Sequence, residues 1–342
     1  MKINILLGTV LMMAIFSPKA YSQTEVSFTN SADGAVLSGT LLTPKDVENP
    51  PVVLMVTGSG LQDRDEELLG HKPFKVIAEY LAERGIASLR YDDRGFGKST
   101  GSIEGVTTET FKQDAIAGID FLRSQGGGDL PKFSKIGVLG HSEGGTIAFL
   151  IAAEGKADFI VSLAGGATQG KEAVLTQNYN ALKAQGIPSV QIGEVVDAVE
   201  EVFDKLIASP EDEPVSVSLQ RIASESQSPE IAQTLALQLG NDSNGKWYKY
   251  FLALDPSDAI SKITCPVMAV NGTKDFQVDC QENLGNIRKR LPESPKNLIK
   301  SYEGLNHLFQ NCNTGYPTEY ATIKEDIAEQ VLSDISNWIK SL

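Results

Sequence analysis

Ser142 lies in the run Gly140-His141-Ser142-Glu143-Gly144-Gly145, with glycine two residues away on either side. The residues before it (136–139, IGVL) read as a short buried strand and those after it (146–153, TIAFLIAA) as a buried helix. The serine is therefore expected at a sharp strand-to-helix turn, a nucleophile elbow. Such a turn puts its central residue in strained backbone and leaves no room for a side chain two residues to either side, which accounts for Gly140 and Gly144. It holds the hydroxyl clear of the strand, at a helix N-terminus whose dipole favours developing negative charge. The matching chemistry is attack on an acyl carbon, which needs a base and an acid to orient that base.

The chain has three histidines from which to draw the base. His141 belongs to the elbow, with its ring expected to point away. His71 precedes a helix and reads as a surface or capping residue. His307 remains, in the loop 303–307 that follows a strand-like run at 298–302. Asp275 ends the loop Asn271-Gly272-Thr273-Lys274-Asp275 behind the preceding apolar run. Asp279 lies at the start of the next helix, where a carboxylate is better suited to capping. Ser142, Asp275 and His307 are thus the expected catalytic set, each at a strand end.

These residues need a scaffold, and the chain alternates apolar strand-like runs (52–56, 86–91, 136–139, 159–163, 266–270, 298–302) with helical ones (73–84, 111–122, 146–153, 282–291, 323–342). That rhythm predicts an α/β fold with a mostly parallel, doubly wound sheet. Residues 25–28 and 35–42 flank the turn-rich Asn30-Ser31-Ala32-Asp33-Gly34, so an N-terminal β-hairpin is expected ahead of it. The rhythm stops between residues 166 and 260, a helical, acidic stretch with an apolar stripe through Val195, Val196, Val199, Val202, Phe203, Leu206 and Ile207. We read this stretch as a helical cap over the carboxyl edge of the sheet, with the core formed by residues 23–165 and 261–342. Trp247, Tyr248, Tyr250 and Phe251, near its end, are candidates for lining a substrate pocket or for gluing the cap down.

The loop Thr57-Gly58-Ser59-Gly60 leaves a central strand and is suited to complete an oxyanion hole, with the Ser59 N–H (Gly60 as the alternative) joining that of Glu143. Asp63, Arg64 and Asp65 are expected to form a local ion-pair cluster that fixes this loop. The charges of Asp92, Asp93 and Arg94 are expected to anchor the loop after the next strand.

The chain has 342 residues, 30 basic and 44 acidic, a formal charge of −14 that argues against nucleic acid or an anionic membrane as partner. The pattern carries no signal for an oligomeric state. A charged start, an apolar run to Phe16 and the small residues of Ala20-Tyr21-Ser22 read as a secretory signal over residues 1–22, implying a periplasmic or secreted protein with no membrane attachment after cleavage. In an oxidising compartment the cysteines matter. Cys280 follows Asp275 by five residues and Cys312 follows His307 by five. If the acid and base loops run side by side, a Cys280 to Cys312 disulfide is expected, with Cys265 a core residue.

The segments 58–65 (GSGLQDRD), 91–97 (YDDRGFG), 140–145 (GHSEGG) and Asn306-His307 resemble the α/β-hydrolase superfamily, and within it the bacterial carboxylesterases of the serine aminopeptidase-like branch. The resemblance covers nearly the whole chain after the leader. It implies ester hydrolysis of small to medium acyl esters without metal or organic cofactor, with an aminopeptidase or amidase on the same triad as the alternative. Many hydrolases carry His-Gly in the oxyanion loop where this chain has Thr57-Gly58.

Overall fold

The computed structural model describes residues 20–239 and 242–342. Residues 1–19 of the expected leader lie outside them. Its last two residues, Tyr21 and Ser22, fall inside the first strand, so the expected boundary after Ser22 cuts an element that the fold uses.

A single eight-stranded sheet runs in the order β1-β2-β4-β3-β5-β6-β7-β8. β1 (Tyr21–Thr29) and β2 (Val36–Pro44) form the N-terminal hairpin, and β2 pairs antiparallel with β4 (Ala87–Tyr91). From there β4, β3 (Val52–Val56), β5 (Ile136–His141), β6 (Phe159–Leu163), β7 (Val267–Gly272) and β8 (Leu298–Tyr302) are parallel. The uninterrupted apolar runs follow from burial on both faces. Val52, Leu54 and Val56 enter the core beneath α2 (Thr108–Arg123) and α3 (Glu143–Ala153). Val53 and Met55 enter the core beneath α1 (Pro73–Ala82) and the closing helix.

Between β6 and the short α9 (Ser257–Ile260) the described residues of the chain build an insert of five helices, α4 (Gly170–Ala184), α5 (Ser189–Ile207), α6 (Val215–Glu225), α7 (Pro229–Leu239) and α8 (Asp242–Ala253). They enclose an apolar cluster of their own, in which Val202, Phe203 and Leu206 of the expected stripe are buried while Val195 stays exposed. The two ends of the insert meet, because Gly170 N–H donates to Leu254 O at 3.0 Å. The insert therefore leaves and rejoins the sheet at one place, beyond the carboxyl end of β6. From there α9 leads back to β7. Among the described residues no helix is long and apolar enough to cross a membrane.

α10 (Cys280–Arg290) begins two residues before the expected start, with Asp279 as its N-cap accepting from Glu282 N–H at 2.8 Å. The C-terminal region departs from the expected helix over 323–342. A 3₁₀ turn (Pro317–Thr322) precedes α11 (Glu329–Ser341), and residues 323–328 stay outside the helix. Their backbone is used elsewhere: Glu325 O accepts from Gln310 Nε2 at 3.0 Å and Ala328 N–H donates to Phe309 O at 2.9 Å. That segment braces the loop that carries His307.

Candidate active site

Ser142 occupies φ +54° and ψ −120°, a conformation that disfavours any side chain. The strain is held from both sides. A Cβ on Gly140 would lie 2.0 Å from Gly144 O, and one on Gly144 would lie 2.0 Å from Val56 O, so both glycines are required by backbone contact. Ser142 is the N-cap of α3, and its carbonyl accepts from Gly145 and Thr146 N–H. The turn thus leaves the hydroxyl at the positive end of a buried helix.

The loops after β7 and β8 meet. His307 Nδ1 lies 2.7 Å from Asp275 Oδ2, and both side chains are almost wholly buried. The other oxygen, Asp275 Oδ1, accepts from Gln277 N–H at 2.8 Å and Val278 N–H at 2.9 Å, which fixes the carboxylate's orientation. Beside it, Asn306 accepts from Leu308 and Gln310 N–H and donates to Gln310 Oε1, locking the turn that presents His307. Ser142 and His307 line one cavity of about 560 Å³.

Ser59 and Glu143 line the same cavity, while Gly60 lines only smaller cavities next to it. The loop lies against the serine, since a Cβ on Gly58 would stand 3.1 Å from Ser142 Cβ. Gly58 N–H is committed to Glu66 Oε1 at 2.8 Å. The flanks are anchored by Asp93, which accepts from the Thr57 hydroxyl at 3.0 Å and from Gln62 N–H at 2.8 Å. The ion pairs of 63–65 reach outward and do not close on one another. Arg64 pairs with Asp92 and Glu25, Asp65 pairs with Arg90, and Asp63 accepts from Asp65 and Glu67 N–H.

Three aromatic candidates, Trp247, Tyr248 and Phe251, line the cavity, and Tyr250 does not. At 100° per residue the three fall within one arc of α8, and Tyr250 falls just outside it, on the flank toward Glu109 of α2. Trp247 and Phe251 stack at 5.4 Å, and Trp247 Nε1 donates to Glu143 Oε1 at 3.1 Å. The same oxygen accepts from the Thr108 hydroxyl at 2.6 Å. Burial raises the Glu143 carboxyl above its ordinary range against the hydrogen bonds from Thr108 and Trp247. The side chain next to Ser142 therefore ties the insert and α2 together. Sequence reasoning assigned Glu143 only a backbone role.

The two other histidines differ from expectation. The His141 ring does not point away: its centroid is 4.7 Å from that of His307, and both rings line the cavity. His71 is buried, with Nε2 2.9 Å from Tyr320 O and Nδ1 3.3 Å from Asp326. The disulfide is absent as well, since Cys265, Cys280 and Cys312 are all free thiols. Asp275 turns the chain so that Cys280 opens α10 and packs into the core with Leu284 and Ile287. Cys312 Sγ instead faces Gly304 O at 3.3 Å in the loop that carries His307. The loops are neighbours, but their cysteines point into different surroundings.

Comparison with known proteins bears on this geometry. The family model described as X-Pro dipeptidyl-peptidase (S15 family) matches residues 33–299, from the hairpin into β8. The chain belongs to this α/β-hydrolase family. Among curated proteins, the S15-family chain is 28% identical over 307 residues to Esterase EstD of Thermotoga maritima, a match covering 89% of this chain and 65% of that protein. The chain thus spans just under two thirds of that relative's length. Its fold is that of the Pyrococcus furiosus esterase Pf2001 (TM-score 0.56, 16% identity, 94% of this chain and 91% of that one). It also matches Est1E of Butyrivibrio proteoclasticus, solved with ferulic acid bound (TM-score 0.52, 18% identity, 92% and 98%).

Proposed function

We propose that this S15-family protein is a serine carboxylesterase that hydrolyses small to medium acyl esters through an acyl-enzyme on Ser142. The observation that carries the reading is the 2.7 Å contact of buried Asp275 with His307, which lines one cavity with the strained Ser142. His307 takes the Ser142 proton as the serine attacks the ester carbonyl, and Asp275 holds the imidazole and stabilises its cation. The N–H groups of Ser59 and Glu143 receive the oxyanion, each such donor being worth about 3 kcal/mol in the transition state. His307 then protonates the leaving alcohol, and water, deprotonated by the same imidazole, releases the acid. Trp247 and Phe251 supply an apolar wall for the acyl chain.

The family's peptidase members make amide cleavage the second reading. An aminopeptidase needs a carboxylate to receive the substrate's ammonium, and each of the three glutamates of the cavity already has a partner, Glu66 through Oε1 alone. Glu66 holds Gly58 and His141, Glu67 pairs with Lys72 at 2.8 Å, and Glu143 holds Thr108 and Trp247. This favours esters, in keeping with the description of EstD as an esterase.

The test is turnover of p-nitrophenyl acyl esters from acetate to octanoate beside aminoacyl and X-Pro p-nitroanilides. The reading expects ester hydrolysis without anilide cleavage, and a chain-length preference that Trp247→Ala shifts. Anilide cleavage at rates matching the esters would replace it with the peptidase reading. The proposal includes export to the periplasm or medium on the leader-like residues 1–22, to be checked by mass spectrometry of the mature N-terminus after expression with the native leader.

A further inference from the structure

Both ring nitrogens of His141 face hydrogen-bond acceptors. Nδ1 lies 2.9 Å from Glu66 Oε1, and Nε2 lies 3.0 Å from the carbonyl oxygen of His307. A neutral imidazole has one N–H and one bare nitrogen, so in either tautomer a lone pair would face an oxygen at hydrogen-bond distance. With Glu66 ionised, only the imidazolium satisfies both contacts, because a protonated Glu66 would itself donate to Nδ1.

Glu66 is built to support that charge. It is buried, and its Oε2 has no hydrogen-bond partner, so its charge is met at Oε1, by Gly58 N–H and by His141. Glu66 is held at φ +54°, a conformation that a glutamate adopts only under constraint from its surroundings. The result is a short strap: oxyanion loop (Gly58), carboxylate (Glu66), imidazolium (His141), base loop (His307 carbonyl). It joins the two loops that must keep their spacing while charge moves between Ser142, the oxyanion and His307.

We propose that His141 is a positioning residue that works as a doubly protonated imidazolium, with Glu66 clamping the backbone of the base loop to the oxyanion loop. The catalytic consequence rests on the esterase reading; the protonation state does not. The charged groups facing His141 are Glu66, the Asp275 carboxylate and the His307 ring. Burial opposes a charge on His141, but attraction to Glu66, its hydrogen bond, that of the His307 carbonyl and the field of Asp275 together raise the imidazole above its ordinary value. When pH rises far enough to remove one proton, the strap loses one of its two donors. Turnover then falls on the alkaline side for a reason unconnected with the nucleophile.

With three histidines in the chain, ¹⁵N-histidine labelling yields a spectrum simple enough to read directly. At pH 7, where an ordinary histidine is mostly neutral, His141 is expected to show two protonated ring nitrogens. Its signals are assigned by their loss in His141→Gln, or, if that variant does not fold, by through-space contacts to His307 and Glu66. One protonated and one bare nitrogen on His141 would overturn the proposal. The kinetic arm uses p-nitrophenyl butyrate, with rates expressed per site titrated by a fluorophosphonate. His141→Gln and Glu66→Gln are each expected to lower kcat about 10- to 100-fold with KM little changed, and His141→Gln to abolish the alkaline fall. A variant that loses titratable sites but keeps wild-type kcat per site would show a merely structural role and overturn the positioning claim. A wild-type protein that hydrolyses no ester would refute the esterase reading, while the spectrum would still decide the imidazolium.

Discussion

Replacing Asp275 with asparagine preserves the shape of the side chain and changes one contact that matters. Oδ1 accepts from two backbone N–H groups, Gln277 at 2.8 Å and Val278 at 2.9 Å. The amide introduced by Asp275→Asn can keep both only by placing its oxygen there, which turns its NH₂ toward His307 Nδ1. The flipped amide would set two donors against NH₂ and leave two buried N–H groups unpaired, at about 1–3 kcal/mol each. The orientation is therefore decided by the loop. With NH₂ facing Nδ1, that nitrogen must accept, so the proton moves to Nε2 and His307 can no longer take one from Ser142. The wrong tautomer in a serine triad lowers kcat about ten-thousand-fold, or about 5.5 kcal/mol at 1.36 kcal/mol per decade. Because the loop's hydrogen bonds survive, thermal stability should stay near wild type, whereas Asp275→Ala strands both N–H groups and should lower it. The assay is kcat and KM for p-nitrophenyl butyrate, with thermal melts of both variants. An Asp275→Asn enzyme within tenfold of wild type would refute the reasoning, as would an equal loss in Asp279→Asn, since Asp279 only caps α10.

Three further outcomes follow from the same geometry. Burial, against hydrogen bonds from Gln62 N–H and the Thr57 hydroxyl, pushes Asp93 up to about 8. A raised carboxyl favours its neutral form in the folded state, so its contribution is complete below pH 4 and declines as pH rises to about 8, by at most about 1.4 kcal/mol per unit. Urea denaturation at pH 5 and pH 9 should show this decline in wild type and a smaller one in Asp93→Asn; equal declines would contradict it. Gly144→Ala places a Cβ against Val56 O and Thr57 O, both backbone, and should cost about 3 kcal/mol and most of the activity. Wild-type stability in denaturant would show that α3 can shift freely. Under denaturing, non-reducing conditions three thiols per chain should titrate, and a count of one would restore the Cys280–Cys312 bridge.

What could be read from the sequence was what depends on local chemistry. Gly140 and Gly144 announce a turn without room for side chains, and continuous apolar runs such as 52–56 announce strands buried on two faces. Asp275 and His307 could be paired from sequence because each follows a strand at the same sheet edge. Side-chain partners chosen by tertiary packing were not legible. His141 finds Glu66 at a separation of 75 residues, and nothing in either segment names the other. A histidine next to the nucleophile, in a chain with so few, was the one available signal. The aromatic cluster was visible, but which of its rings faces the cavity depends on the rotation of α8, and Tyr250 falls just outside the arc that lines it. The two cysteines show the same gap: loop proximity was inferable, side-chain direction was not.

The central claim is that Ser142 becomes acylated by way of His307, and one measurement addresses it directly. Stopped-flow mixing with p-nitrophenyl acetate, followed by acid quench and peptide mass spectrometry, reads both the burst and the site. The expected result is a burst of one p-nitrophenol per chain, an acetyl group on Ser142 alone, and loss of both in Ser142→Ala and in His307→Ala. Acylation at any other residue, or steady turnover surviving in Ser142→Ala, would contradict it.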